Sequence, residues 1–293
     1  MKRNCPNIQC HSQNIIKNGH YFRANDSRRI QRFKCQVCGK QFSSSTGTLE
    51  FGQKKRRVNH LLMKLFAAKV SQRRAAKIVG VNKKTVQRKF DYWAKKAAIK
   101  NNRFREKLSL SQASHIQFDD LITKEKTKLK PLSITVVCDA DRRFILYASP
   151  CQIASFGHLS KLSIKKYGPR KSFHRENLEH VFQTIKPIVA TTALIESDEH
   201  KNYKPIIDKY FPQSIFSQFK SERGCVAGQG ELKKTHYDPL YGINHTLGML
   251  RDGISTLVRR TWCTTQDPVR LKGHLEIFTY YYNQIYLGGL PSG

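Results

Sequence analysis

The apolar positions change period twice along the chain. From Ile15 to Phe33 they fall in short alternating groups, Ile15-Ile16, Tyr21-Phe22 and Ile30-Gln31-Arg32-Phe33, the spacing of short half-buried strands. From Val58 onward the period becomes helical: Val58, Leu61, Leu62, Leu65 and Phe66 recur on one face. Ser71 offers an N-cap for a helix over residues 72–79 that Gly80 closes, and Asn82 caps a further helix from Lys83 to about Ala97. Val86, Phe90 and Trp93 form its inward face, leaving Lys83, Lys84, Gln87, Arg88 and Lys89 outward. Residues 98–112 are polar and read as a linker.

Beyond residue 113 the pattern alternates between strand and helix. Strands are predicted over residues 116–121, 133–138, 144–148, 192–196 and 214–217, the second and third joined by a turn at Asp139-Ala-Asp-Arg. Asp139 and Asp141 are turn residues in this reading. Helices are predicted around Leu178, Val181, Phe182 and Ile185, over 200–210, over about 239–260 and over 270–286. Three strands, a helix, a strand, a helix, a strand and then helices is the order of a ribonuclease H-like α/β domain with a mixed sheet. In that fold the first and fourth strands are neighbours, which would set Asp119 beside Asp198. Two carboxylates so placed suit two Mg²⁺ or Mn²⁺ ions, which prefer hard oxygen ligands and serve phosphoryl displacement. Asp120 and Glu199 adjoin them and, by strand alternation, face away as surface neighbours.

Charge adds a partner. The net charge is +32, and residues 1–107 hold 28 Lys and Arg against 4 Asp and Glu. A field of that size favours a polyanion, and double-stranded DNA is the expected one. The capped helix pair over 71–97 resembles a helix-turn-helix. There Arg73, Arg74, Lys83, Lys84 and Arg88 suit phosphates, while Thr85 and Gln87 suit base edges. A non-catalytic DNA-binding protein would share all of these features.

Cysteine spacing adds a metal. Cys5 and Cys10, then Cys35 and Cys38, form two knuckles about twenty-five residues apart, the donor set of a structural Zn²⁺ ribbon. Four residues separate the first pair where two is usual. Cys138, Cys151, Cys225 and Cys263 lie at no ligand spacing. No apolar run approaches the ~20 residues of a membrane span, and the first residues lack the apolar core of a secretory leader, so a cytoplasmic protein with reduced thiols is expected.

The whole chain resembles a transposase of small bacterial insertion sequences. The likeness is carried by Phe118-Asp119-Asp120-Leu121, Lys130-Pro131-Leu132-Ser133, Lys166-Tyr167-Gly168, Ser197-Asp198 and Gly228-Gln229-Gly230-Glu231-Leu232-Lys233-Lys234. It continues through Asn244-His245-Thr246 and Leu257-Val-Arg-Arg-Thr-Trp-Cys-Thr-Thr. The resemblance implies a zinc ribbon over 1–53, a helix-turn-helix over 54–107 and an Asp-Asp-Glu catalytic domain over 113–293. It implies strand cleavage and strand transfer at terminal inverted repeats, by a homo-oligomer on DNA. The family pattern puts a third acid on the helix after the last strand, where this chain has Asn244 and His245 instead; Glu231, thirty-three positions beyond Asp198, is expected to take that role, with Asn244 or His245 as the alternative. Arg251 on that helix would line the DNA path.

Overall fold

The computed structural model describes residues 3–24, 26–220, 238–258 and 262–290. It divides into two compact units, Met1–Leu62 and Met63–Gly293.

In the first unit, β1 (Ile15–Arg23), β2 (Arg28–Cys35) and β3 (Gln41–Ser43) form an antiparallel sheet in that order. A register shift between Lys17 and His20 bends β1. Gly39 takes φ +71°, the left-handed turn needed after the second cysteine knuckle. Phe42 packs on Phe33 with ring centroids 5.7 Å apart. Besides Leu62, the buried apolar set here is Cys5, Ile30, Phe33 and Cys35, so most apolar contact gathers round the cysteines.

The second unit is a mixed α/β structure around a five-stranded mixed sheet. Its strands are β4 (Ala113–Lys124), β5 (Pro131–Asp139), β6 (Ile145–Gln152), β7 (Val189–Asp198) and β8 (Ile215–Phe219), in the spatial order β6-β5-β4-β7-β8. β5 is antiparallel to both β4 and β6, whereas β7 runs parallel to β4 and β8 parallel to β7. Parallel neighbours need a crossover, and α5 (His174–Ile185) and α6 (Tyr203–Tyr210) lie in those connections. Ile116 and Phe118 pack with Leu178, Phe182, Tyr203 and Ile206 on one face of the sheet. On the other, Leu121, Ile134 and Val136 meet Ile243, Leu247 and Leu250 of α7 (Tyr241–Gly253) and Phe278 of α8 (Pro268–Tyr281).

The caps expected from sequence are present. Ser71 accepts from the Arg74 amide at the start of α2 (Gln72–Val79), Gly80 closes α2 with φ +67°, and Asn82 accepts from the Lys84 amide at the start of α3. α3 corrects the expected linker. It runs unbroken over Lys83–Leu108, because Phe104 and Leu108 enter the same core as Phe144 and Ile188. Asn101 also donates to the Glu276 backbone carbonyl at 3.0 Å and to its carboxylate at 2.7 Å. Residues polar in sequence thus carry a narrow apolar stripe. Lys89, read as outward-facing, is 4% exposed. α1 (Asn59–Ala67) presents Leu62, Met63, Phe66 and Ala67 as its buried residues, with Leu61 outside.

Three further differences have local causes. α4 (Ser160–Tyr167) was not anticipated, since Leu162 and Ile164 are exposed and Ser163 is its buried residue, leaving no apolar stripe to read. α7 stops at Gly253, and the buried Leu257 lies in the turn beyond it. α8 gives way at Tyr282–Tyr286 to a π-helical turn. Gly253 also marks a close approach, because a β-carbon there would sit 2.0 Å from the Phe278 ring and 3.0 Å from the Ala67 carbonyl. Gly253→Ala is therefore expected to cost about 3 kcal/mol by overpacking, read as a lower urea midpoint. An unchanged midpoint would show that Phe278 can move aside at no cost.

Candidate metal centre and carboxylate pair

The four ribbon cysteines converge. Their sulfurs all lie within 4.8 Å of one another, with Cys5 to Cys38 at 3.5 Å and Cys10 to Cys35 at 3.8 Å. A tetrahedral Zn²⁺ with ~2.3 Å bonds separates its sulfurs by about 3.8 Å, so the spacing and the all-thiol donor set fit that ion. The Lys40 backbone amide holds the Cys38 thiol down at about 6, while burial pushes Cys5 up to about 12. Four thiolates this close would repel, and a bound dication would supply the compensation. The extra residues of the first knuckle are absorbed by a turn in which the Cys10 amide donates to the Asn7 carbonyl.

The second site is built by the parallel pairing of β4 and β7. Phe118 is in register with Ser197 and Gln117 with Glu196, so Asp119 and Asp198 follow as neighbours one residue on. The Gln117 amide donates to Glu196 at 2.7 Å, which shows these alternate side chains to share one face. Both carboxyls are perturbed. Burial, then the charge of Asp198, raises Asp119 to about 7. Burial, then the charge of Asp120, raises Asp198. The Asp198 Oδ1 atom is buried without a hydrogen-bond partner among the described residues. Two adjacent carboxyls that resist ionising, one with an unsatisfied buried oxygen, form an arrangement that a cation would complete.

Asp120 is not the surface neighbour expected. It does face away from Asp119, but its side chain is only 12% exposed and accepts hydrogen bonds from four side chains: Ser133 at 2.9 Å, Thr135 at 2.7 Å, Tyr203 at 2.7 Å and His174. Burial alone would raise this carboxyl. The His174 bond and charge, with the hydroxyls, outweigh that and hold it below the ordinary carboxylate range. His174 then contacts the segment after β7 through Asn202, at 3.4 Å, and stacks edge-on with His200. Glu199 is exposed just past the end of β7. Asp139 accepts from the Asp141 and Arg142 amides, as a turn residue should.

Of the third-ligand candidates, Glu231 lies outside the described residues. Asn244 is exposed and donates to Asp238 at 2.9 Å. His245 packs on Tyr241, and burial lowers its pKa. Arg251, about two turns along α7 from both, is close enough for its charge to act on Asp119. The residue that seats α7 was missed. Gln117 accepts from the Ile243 amide at 3.0 Å and donates to the Pro239 carbonyl at 2.7 Å. Gly242 permits this approach, since a β-carbon there would meet the Gln117 amide oxygen at 2.7 Å. A polar residue between Ile116 and Phe118 was the available signal. His174 gave none, because its partner is 54 residues away.

On α2 and α3, Arg73, Arg74, Lys83, Lys84 and Arg88 are exposed, and Thr85 and Gln87 partly so. None of the described helices is long and apolar enough to cross a membrane. No family model matches the chain, and no curated protein matches it.

Proposed function

We propose that this protein is a transposase that cleaves DNA and transfers strands in a divalent-metal-dependent reaction, on a ribonuclease H-like core. The observation that carries the reading is the Asp119 and Asp198 pair on adjacent parallel strands, with raised pKa values and an unsatisfied buried oxygen. The strand order β6-β5-β4-β7-β8, with β5 alone antiparallel to both neighbours, supports that fold. Two Mg²⁺ or Mn²⁺ ions bound at the pair would activate the attacking oxygen and stabilise the leaving one. The chain's own part is to hold the carboxylates on a rigid sheet, keep Asp120 occupied on the far face, and seat α7 through Gln117.

DNA recognition in this proposal belongs to α2 and α3 acting as a helix-turn-helix. The three residues Gly80, Val81 and Asn82 join the helices, and the N-terminal turn of α3 offers Lys83, Lys84, Thr85, Gln87 and Arg88 to a major groove. A second reading, a DNA-binding relative without catalysis, is favoured by one observation. Among the described residues no third carboxylate joins the pair to form a metal-capable group, and Glu196, the next acid on that face, is engaged by His115 and Gln117.

The test is strand transfer with Mg²⁺ or Mn²⁺ on duplexes carrying the element's ends. Wild type is expected to form joined product, and Asp198→Ala to fall at least ~10³-fold while still binding duplex. Equal product from both proteins removes the enzymatic reading. Duplex binding with no product from wild type selects the binding-only protein.

A further inference from the structure

A basic surface on the second unit is built from elements other than α2 and α3. Residues 124–130 hold Lys124, Lys126, Lys128 and Lys130 with one acid, Glu125, and residues 157–171 hold Lys161, Lys165, Lys166, Arg170 and Lys171 with none. Three contacts join these segments into one surface. Ser163 donates to the Leu129 carbonyl at 2.7 Å, the Lys130 ammonium sits 4.6 Å over the Tyr167 ring, and Arg170 lies 3.7 Å from Glu125. Lys166 also approaches the Tyr167 ring, at 5.6 Å. The turn itself is held, since Lys126 adopts φ +60° and its amide donates to the Thr265 carbonyl at 2.8 Å.

Glu125 is shared between Lys130 and Arg170, and Lys171 has a loose partner in Glu176 at 3.9 Å. Lys126, Lys128, Lys161, Lys165 and Lys166 are exposed, and none of them pairs with a carboxylate among the described residues. A fold that brings five exposed lysines together with none of them paired to an acid among the described residues keeps a repulsion that a polyanion would relieve. The surface also continues the strand that bears Asp119. Lys124 is five residues further along β4, about 17 Å at the rise of a strand, and that length of duplex carries about ten phosphates.

We propose that the β4–β5 turn and α4 form a second DNA-binding surface, which holds the phosphate backbone of duplex beyond the Asp119 and Asp198 pair. This rests on the DNA reading above and adds a track on the catalytic unit itself, separate from the helix pair. Lys126, Lys165 and Lys166 contact phosphates in it, and the ring of Tyr167 spaces the Lys130 and Lys166 ammonium groups.

The experiment measures duplex affinity of the full chain against salt for wild type, for the triple variant Lys126→Gln, Lys165→Gln, Lys166→Gln, and for Lys83→Gln, Lys84→Gln, Arg88→Gln. Each lost phosphate contact lowers the salt slope by ~0.9, so both triple variants are expected to lose about 2 to 3 from the slope and about 10- to 100-fold in affinity at about 50 mM salt. The three lysines are exposed, so folding is retained, and circular dichroism checks it. A slope unchanged in the Lys126, Lys165 and Lys166 variant, with the helix variant reduced, overturns this surface and leaves the DNA reading standing. A wild type that binds no duplex overturns both. Vesicles of phosphatidylserine form the remaining arm: binding to them that the triple variant loses, with its DNA slope unchanged, overturns the proposal in favour of a membrane surface.

Discussion

Replacing Cys35 and Cys38 together by serine is expected to abolish zinc binding and to remove amide protection across β1, β2 and β3. The expectation follows from how little else holds them. Ile30 and Phe33 are the buried apolar side chains of the sheet apart from cysteine, and two such side chains contribute about 3 to 6 kcal/mol by burial. Ordering a segment of this length costs many times that in chain entropy. A structural zinc site contributes on the order of 10 to 16 kcal/mol, enough to decide the outcome. Elemental analysis should find about one zinc per chain in wild type and none in the variant. Wild type without metal, or a variant that keeps its sheet protection, would show that the four sulfurs converge for another reason.

Asp119→Asn is expected to move activity and stability in opposite directions. Activity falls at least ~10³-fold, as the proposed metal ligand loses its charge. Stability of the metal-free protein rises at alkaline pH. The sign follows from the raised pKa: a carboxyl near 7 in the folded chain and ~3.9 unfolded binds its proton more tightly when folded. Its favourable contribution is complete below about pH 4 and is lost as pH climbs through about 7. Three units would correspond to about 4 kcal/mol, and partial exposure of the group reduces this to roughly 1 to 2. Asparagine carries no such pH-dependent loss, so the two proteins should converge in denaturant midpoint near pH 4 and diverge by pH 8. Saturating Mn²⁺ should close the gap by holding wild-type Asp119 ionised. Parallel curves across that pH range would place Asp119 in water and away from Asp198.

The strands of the second unit were legible because β4 and β7 announce themselves by apolar runs that end at carboxylates. The caps of α2 and α3 were legible because Ser71, Gly80 and Asn82 act within four residues of their own positions. What stayed hidden depends on partners distant in sequence. Asn101 looked like linker because Glu276 lies 175 residues away. Asp120 looked exposed because alternation gives the direction of a side chain and not what it meets there. Its four donors come from β5, α5 and α6. The convergence of the four cysteines was readable, since two knuckles at that spacing can bring four thiols together. The Asp119 and Asp198 pair needed the strand order as well as the residues.

The length of α3 bears on where this chain can be divided. Its last turns are part of the sheet's packing, with Phe104 edge-on to Phe144 at 5.1 Å and Leu108 fully buried. A fragment beginning at residue 113 would open a cavity beneath β6 and expose apolar surface where those side chains sat. The helices that face DNA in our proposal therefore cannot be exchanged as a cassette at that point. A recombined or engineered chain that preserves the sheet must make its junction upstream of α1, before Asn59, so the ribbon is the portable module and α1, α2, α3 and the sheet are inherited as one piece.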